Sequence, residues 1–228
     1  MTALVVAKFG GTSVADFDAM NRSADVVLSD ASVRVVVLSA SAGITNLLVA
    51  LAEGLESTER QAKLDAIRAI QYAVLERLSN PAVIRDEIER LLENLATLAE
   101  AAASETSTAL TDDLVSHGEL MSTLLFVEIL RERSVQAQWF DVRKVMRTSD
   151  RFGRAEPDVA ALSELATQLL VPRLDEGLVI TQGFIGSESK GRTTTLGRGG
   201  SDYTAALLGE ALHATCFFND TATTEIYT

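Results

Sequence analysis

Short runs of β-branched and aromatic residues alternate along this chain with longer stretches whose apolar positions recur every three or four residues. Ala3-Leu-Val-Val-Ala-Lys-Phe9, Val33-Arg-Val-Val-Val-Leu38, Val135-Gln-Ala-Gln-Trp-Phe140 and Gly177-Leu-Val-Ile-Thr-Gln-Gly183 read as strands. The second is almost continuous Val and Leu, the pattern of a strand covered on both faces in a parallel sheet. Helical spacing runs from Asp16 to Leu28, from Thr45 to Leu55 with Thr45 as its cap, from Leu114 to Arg133 and from Asp158 to Leu170. Ile84, Ile88, Leu91, Leu92, Leu95 and Leu98 form a further helical stripe, and Pro81 before them suits a first turn. Strands alternating with helices predict an α/β class, with helices sandwiching a mostly parallel sheet. The helical stretches between about residues 58 and 103 predict an insertion at one edge.

Composition narrows the functional classes. The chain has 228 residues, 47% of them hydrophobic, enough for one sizeable core or at most two small domains, and too apolar for a disordered segment. One cysteine cannot form an internal disulfide. With 20 Lys+Arg against 32 Asp+Glu, the net charge of −12 argues against a broad basic surface for nucleic acid. No apolar run has membrane-spanning length, and Met1-Thr-Ala-Leu4 lacks a secretory signal pattern. A soluble cytoplasmic protein, binding neither nucleic acid nor membrane, is expected.

The first candidate motif is Lys8-Phe9-Gly10-Gly11-Thr12-Ser13, at a strand end and just before a helix. Paired glycines let backbone amides approach a bulky anion, and Lys8 supplies a point charge suited to phosphate oxygens. A strand-ending turn with an exposed lysine is the plainer alternative. Neither a dinucleotide fingerprint nor a Walker P-loop is present, since the required glycine spacings are absent. The second motif is Thr193-Thr-Thr-Leu-Gly-Arg198-Gly199-Gly200-Ser201-Asp202-Tyr203-Thr204, opening a helix. Arg198 can grip a carboxylate or phosphate with two parallel hydrogen bonds. Asp202 can hold a lysine or a metal-bound phosphate in place. A mobile loop capped by Ser201 or Asp202 is the plainer alternative. Between Gly186 and Gly200, Lys190, Arg192 and Arg198 face one acid, Glu188, a local positive excess in an acidic protein.

The third feature is Ser116-His117-Gly118-Glu119 inside a helical stretch. A mid-helix glycine costs about 1 kcal/mol relative to Ala, so Gly118 marks either a ligand or a packing contact. Glu119 reads either as an ammonium-binding group or, more plainly, as a solvated residue. His117 reads as structural. The small-residue loop Ser39 to Thr45 follows a strand and is expected to line the same crevice as Lys8, at the carboxyl ends of the strands.

These motifs, in this order, resemble the aspartate kinases of the amino-acid kinase family. Lys8-Phe-Gly-Gly-Thr-Ser13 matches the family opening, and Thr195-Leu-Gly-Arg-Gly-Gly-Ser-Asp-Tyr203 matches its second signature. Val14-Ala-Asp-Phe-Asp-Ala-Met20 and Phe140-Asp-Val-Arg-Lys144 are similar to the bacterial lysine-sensitive branch. The resemblance implies a three-layer α/β/α sandwich over residues 1–214, incomplete at its C-terminus. It implies transfer of the ATP γ-phosphoryl to the side-chain carboxylate of L-aspartate, opening lysine, threonine and methionine biosynthesis. Mg2+ would arrive on the ATP phosphates, with no metal ligand set in the protein. By resemblance, Lys8 neutralises the moving phosphoryl group and Asp202 orients the lysine. Lys8, Phe9, Gly10, Gly11, Thr221 and Tyr227 would face the nucleotide. Thr45, Glu119, Arg198, Gly199, Gly200 and Ser201 would bind aspartate, with Glu119 on the α-amino group and Arg198 on a carboxylate. Full-length family members are homo-oligomers with regulatory domains that this sequence lacks. A fragment that binds aspartate or nucleotide without turnover, or a related kinase with another acceptor, is the rival reading. Residues 215–228 depart from the family pattern, keeping only Thr221 and Ile226-Tyr-Thr228, and read either as a non-matching tail of artefactual origin or as a genuine divergent strand.

Overall fold

The computed structural model describes residues 3–219 together with the backbone of 220 and 223–227. Among these residues, six strands form one sheet in the order β3-β4-β2-β1-β7-β8. They are β1 (Val5–Phe9), β2 (Val33–Leu38), β3 (Ala137–Phe140), β4 (Leu178–Gln182), β7 (Thr215–Asp220) and β8 (Thr223–Tyr227). The first five run parallel, and only β8 pairs antiparallel. The strand predicted from Ala3 begins at Val5, and the one predicted from Val135 begins at Ala137.

Alternation along β1 decides which residues face which layer. Val5, Ala7 and Phe9 share a face with Val26 and Val27 of α1 (Phe17–Leu28) and with Phe217. Lys8 points the other way, to α7 (Gly200–Ala211), whose Asp202 it meets. On the same side, Cys216 Sγ donates to the Ala205 carbonyl and lies 2.2 Å from where a Cβ on Gly209 would stand. Only glycine lets α7 settle that close to β7. The long helix α5 (Thr108–Glu132) packs on β2, β3 and β4 and touches α1, while α6 (Val159–Leu165) packs on α7. The result is the expected α/β/α layering.

The predicted helices are present with altered ends. Gly43, at φ 88°, is the cap of α2 (Ile44–Ala52), so Thr45 lies inside the first turn rather than capping it. Pro81 is itself the N-cap of α4 (Ala82–Ser104), one position earlier than expected. α5 begins six residues before Leu114 because Ser107 accepts from the Leu110 amide and starts it there. The stretch expected as one helix to Leu170 changes at Ala166 into a π turn, where the backbone closes wider rings. α3 (Ser57–Leu75) and α4 pack on each other and on α5. A feature without a strong sequence signal is a two-stranded antiparallel hairpin, β5 (Ile185–Ser187) with β6 (Thr193–Thr195), which carries the second glycine motif.

Candidate active site

The carboxyl ends of β1, β2 and β4 open onto one cleft, as crevices of parallel sheets do. Lys8 reaches it from β1, Ser39 follows β2, and Phe184 follows β4. Thr45, Glu119, Gly197, Arg198, Gly199, Gly200, Ser201 and Asp202 complete a cavity of about 270 Å³. The two glycine motifs, almost two hundred residues apart in sequence, therefore share one site.

Its cationic wall is built at the start of α7. Gly199, at φ 74°, is the helix cap, a conformation that glycine adopts without strain. Neither Ser201 nor Asp202 caps the helix, contrary to the plainer sequence reading. A Cβ on Gly200 would fall 2.7 Å from the Phe184 ring, and one on Gly183 would fall 2.6 Å from the Ser201 side chain. These glycines let the helix N-terminus dock directly on the end of β4. Asp202 then meets the buried Lys8 Nζ at 2.8 Å. Arg198 projects from the turn as an exposed residue lining the cavity. Ser39 Oγ donates to Ser201 Oγ at 3.1 Å, closing the gap between the β2 loop and α7.

Glu119 on α5 brings a carboxyl group to the same cavity. It is 4% exposed, which overturns its reading as a solvated residue. Its Oε1 accepts the Ala40 amide at 3.2 Å, and Oε2 has no hydrogen-bond partner among the described residues. Burial pushes the carboxyl up to about 8, and the backbone amides of Ala40 and of Glu119 itself pull it back only partly. A cation arriving beside Oε2 would supply the missing partner. Gly118 explains how Glu119 comes so near the loop, since a Cβ there would lie 2.6 Å from the Ala40 Cβ. Ser122, one turn further on, donates to the Ser39 carbonyl at 2.8 Å and holds the same loop. His117 points elsewhere: Nδ1 lies 2.9 Å from the Asp113 carbonyl and Nε2 2.9 Å from Asn94 Nδ2. Burial lowers its pKa, so it is a neutral structural imidazole.

The sequence profile of the amino acid kinase family matches residues 3–228. The chain belongs to the amino acid kinase family. It is 83% identical over 214 residues to the lysine-sensitive aspartokinase 3 of Escherichia coli K12, covering 94% of this chain and 48% of that protein. A crystal structure of E. coli aspartokinase III in complex with aspartate and ADP, in its R-state, superposes with a TM-score of 0.93 at 81% identity. That match covers 95% of this chain and 49% of the other. The T-state complex with lysine and aspartate gives a TM-score of 0.92 at 84% identity, covering 92% and 47%. This kinase-family chain thus spans about half the length of the curated relatives it matches.

Within this amino acid kinase fold, the residues expected to face a nucleotide are placed less uniformly than those expected to face an amino acid. Lys8 lines the cavity, whereas Phe9 is turned into the α1 side of the sheet. The Gly10 amide donates to the Asn219 carbonyl at 3.3 Å, and Gly11 lies against the β2 loop, where a Cβ would stand 3.0 Å from the Ala40 oxygen. Thr221 lies outside the described residues, and of Tyr227 only the backbone, in β8, is described. Among the described residues, no group of three or more His, Cys, Asp or Glu side chains is placed to hold a metal ion. Phe184 lines the cavity outside both glycine motifs, and Gly197 lines it from within the second motif. Phe184 follows a strand end in a left-handed conformation at φ 77°, which no local pattern announces.

Proposed function

We propose that this chain carries the amino-acid side and first phosphate-facing elements of an aspartate kinase. The reaction moves the γ-phosphoryl of ATP to a side-chain carboxylate oxygen of L-aspartate. The new P–O bond gives 4-phospho-L-aspartate, and the bond to the β-phosphate oxygen breaks to release ADP. L-Aspartate has one ammonium and two carboxylates, so it needs an anion and a cation on facing walls. The observation that carries the reading is that Glu119 and Arg198 line one cavity together with the Lys8–Asp202 pair. Aspartate in two solved complexes of E. coli aspartokinase III, and ADP in one of them, support the same ligands here.

In this reading Glu119 takes the α-ammonium and Arg198 a carboxylate. Thr45, Gly199, Gly200 and Ser201 supply hydroxyl and amide groups around the acceptor. Lys8 offsets the charge developing on the transferred phosphoryl group, and Asp202 holds the lysine in place. Phosphoryl transfer asks mainly for such positioning and charge stabilisation. Mg2+ would reach the site on the ATP phosphates and screen their charge. The product would feed lysine, threonine and methionine synthesis in the cytoplasm.

Calorimetric titration with L-aspartate, beside ATP-dependent aspartyl hydroxamate formation, tests the proposal. Binding of L-aspartate that is lost in Arg198→Ala, with turnover lost in Lys8→Ala, is expected. L-Aspartate affinity unchanged by Arg198→Ala would remove its basis.

A further inference from the structure

Asp112 lies on α5 seven residues before Glu119, two helical turns away and on nearly the same face. It is 2% exposed. Its Oδ2 accepts the amides of Gly153 and Thr195, each at 2.8 Å, and its Oδ1 accepts the Thr195 hydroxyl at 2.9 Å. Thr195 ends β6, and the chain runs from it through Leu196 into the turn that presents Arg198. Gly153 belongs to the loop behind that turn, its carbonyl 3.2 Å from where a Cβ on Gly197 would stand. The Ala155 amide, in the same loop, donates to the Thr195 carbonyl at 2.9 Å.

One buried carboxylate therefore ties three parts together: the helix that carries Glu119, the strand that leads to Arg198, and the loop that backs the turn. Burying a carboxylate is costly unless its lone pairs are filled. Three donors at this spacing define a direction as well as satisfying the charge. An apolar side chain of similar size would fill the space without fixing where β6 ends.

We infer that Asp112 is a positioning residue that holds the Arg198 turn at a set distance from α5, so that the cleft's cationic and anionic walls fit a four-carbon amino dicarboxylate. The inference rests on the roles of Glu119 and Arg198 proposed above. It predicts an effect on the amino-acid ligand and on the choice between ligands of different length, with the nucleotide unaffected.

The 228-residue chain is titrated calorimetrically with L-aspartate, L-glutamate and MgATP, unchanged and as Asp112→Asn and Thr195→Val. Thr195→Val keeps the amide and the branched shape and removes only the hydroxyl donor, so it serves if Asp112→Asn does not fold. The L-aspartate Kd is expected to rise about tenfold in Asp112→Asn and about threefold in Thr195→Val. Preference for L-aspartate over L-glutamate should fall about fivefold or more, while the MgATP Kd changes less than about twofold. Unchanged L-aspartate affinity overturns the inference. So does a parallel loss of L-aspartate and MgATP affinity, or lost affinity with the preference intact, since each marks a purely structural role. Absence of L-aspartate binding by the unchanged chain overturns the proposed reading of the site, and this inference with it.

Discussion

Glu119 has one carboxyl oxygen on the Ala40 amide and the other without a partner among the described residues. Burial raises its pKa to about 8, so at neutral pH it is mostly protonated. An ammonium group would favour the carboxylate form. Binding of L-aspartate at pH 7 should therefore release close to one proton, seen as a dependence of the calorimetric heat on the buffer's ionisation enthalpy. A heat independent of buffer would remove Glu119 from the ammonium site. The stability consequence has a definite sign. Because the folded pKa lies above the unfolded one, the contribution is fully present below about pH 4.5 and lost as pH rises through about 8. Without ligand, Glu119→Gln should be more stable than the parent chain at pH 9, by on the order of a few kcal/mol. Urea unfolding should show that gap closing towards pH 4.5.

At the scale of elements, α5 and the loop after β2 meet through a glycine. Gly118→Ala would place a Cβ 2.6 Å from the Ala40 Cβ and 3.3 Å from Ile44. Both neighbours are buried, and such overpacking typically costs about 1–3 kcal/mol. Denaturant unfolding of Gly118→Ala should show a loss in that range, and Ala40→Gly in the same chain should recover most of it. Failure of the second change to compensate would mean that the strain lies elsewhere in α5. The same contact sets where Glu119 meets the Ala40 amide, so Gly118→Ala alone should also weaken L-aspartate binding.

Over the whole molecule, one apolar core runs from the sheet through α5 into α3 and α4. Ile67 and Val74 of α3 and Ile88 and Leu95 of α4 belong to the same buried cluster as Val36 and Ile180 of the sheet. Truncating a buried leucine to alanine usually costs about 2–5 kcal/mol. Leu95→Ala should lower the stability of the entire fold by that amount, with one cooperative transition by both circular dichroism and tryptophan fluorescence. Trp139 on β3 reports the sheet, far along the chain from the mutation. A separate early transition visible only by circular dichroism would mean that α3 and α4 fold as an independent unit.

Hydrophobic periodicity alone was enough for the α/β class, the parallel central strands and the approximate helices. Those patterns are local consequences of burial on one face or two. Helix ends were less legible, because caps such as Gly43, Pro81 and Ser107 depend on backbone angles that composition does not display. Lys8, Arg198 and Asp202 could be singled out because glycine-rich turns at strand ends are unusual in sequence. Their meeting at one cavity could not be read from spacing, since it follows from the strand order that brings β1, β2 and β4 together. Glu119 was ambiguous for the same reason, as a carboxylate in a helix reads as solvated until a second loop is seen to cover it. Asp112 gave no signal, because its three donors come from residues 41 and 83 positions away. Local residue order settles which segments bury apolar surface and which turns can approach an anion. Which charges face one another follows from the folded arrangement, because that distance is set by packing between elements remote along the chain.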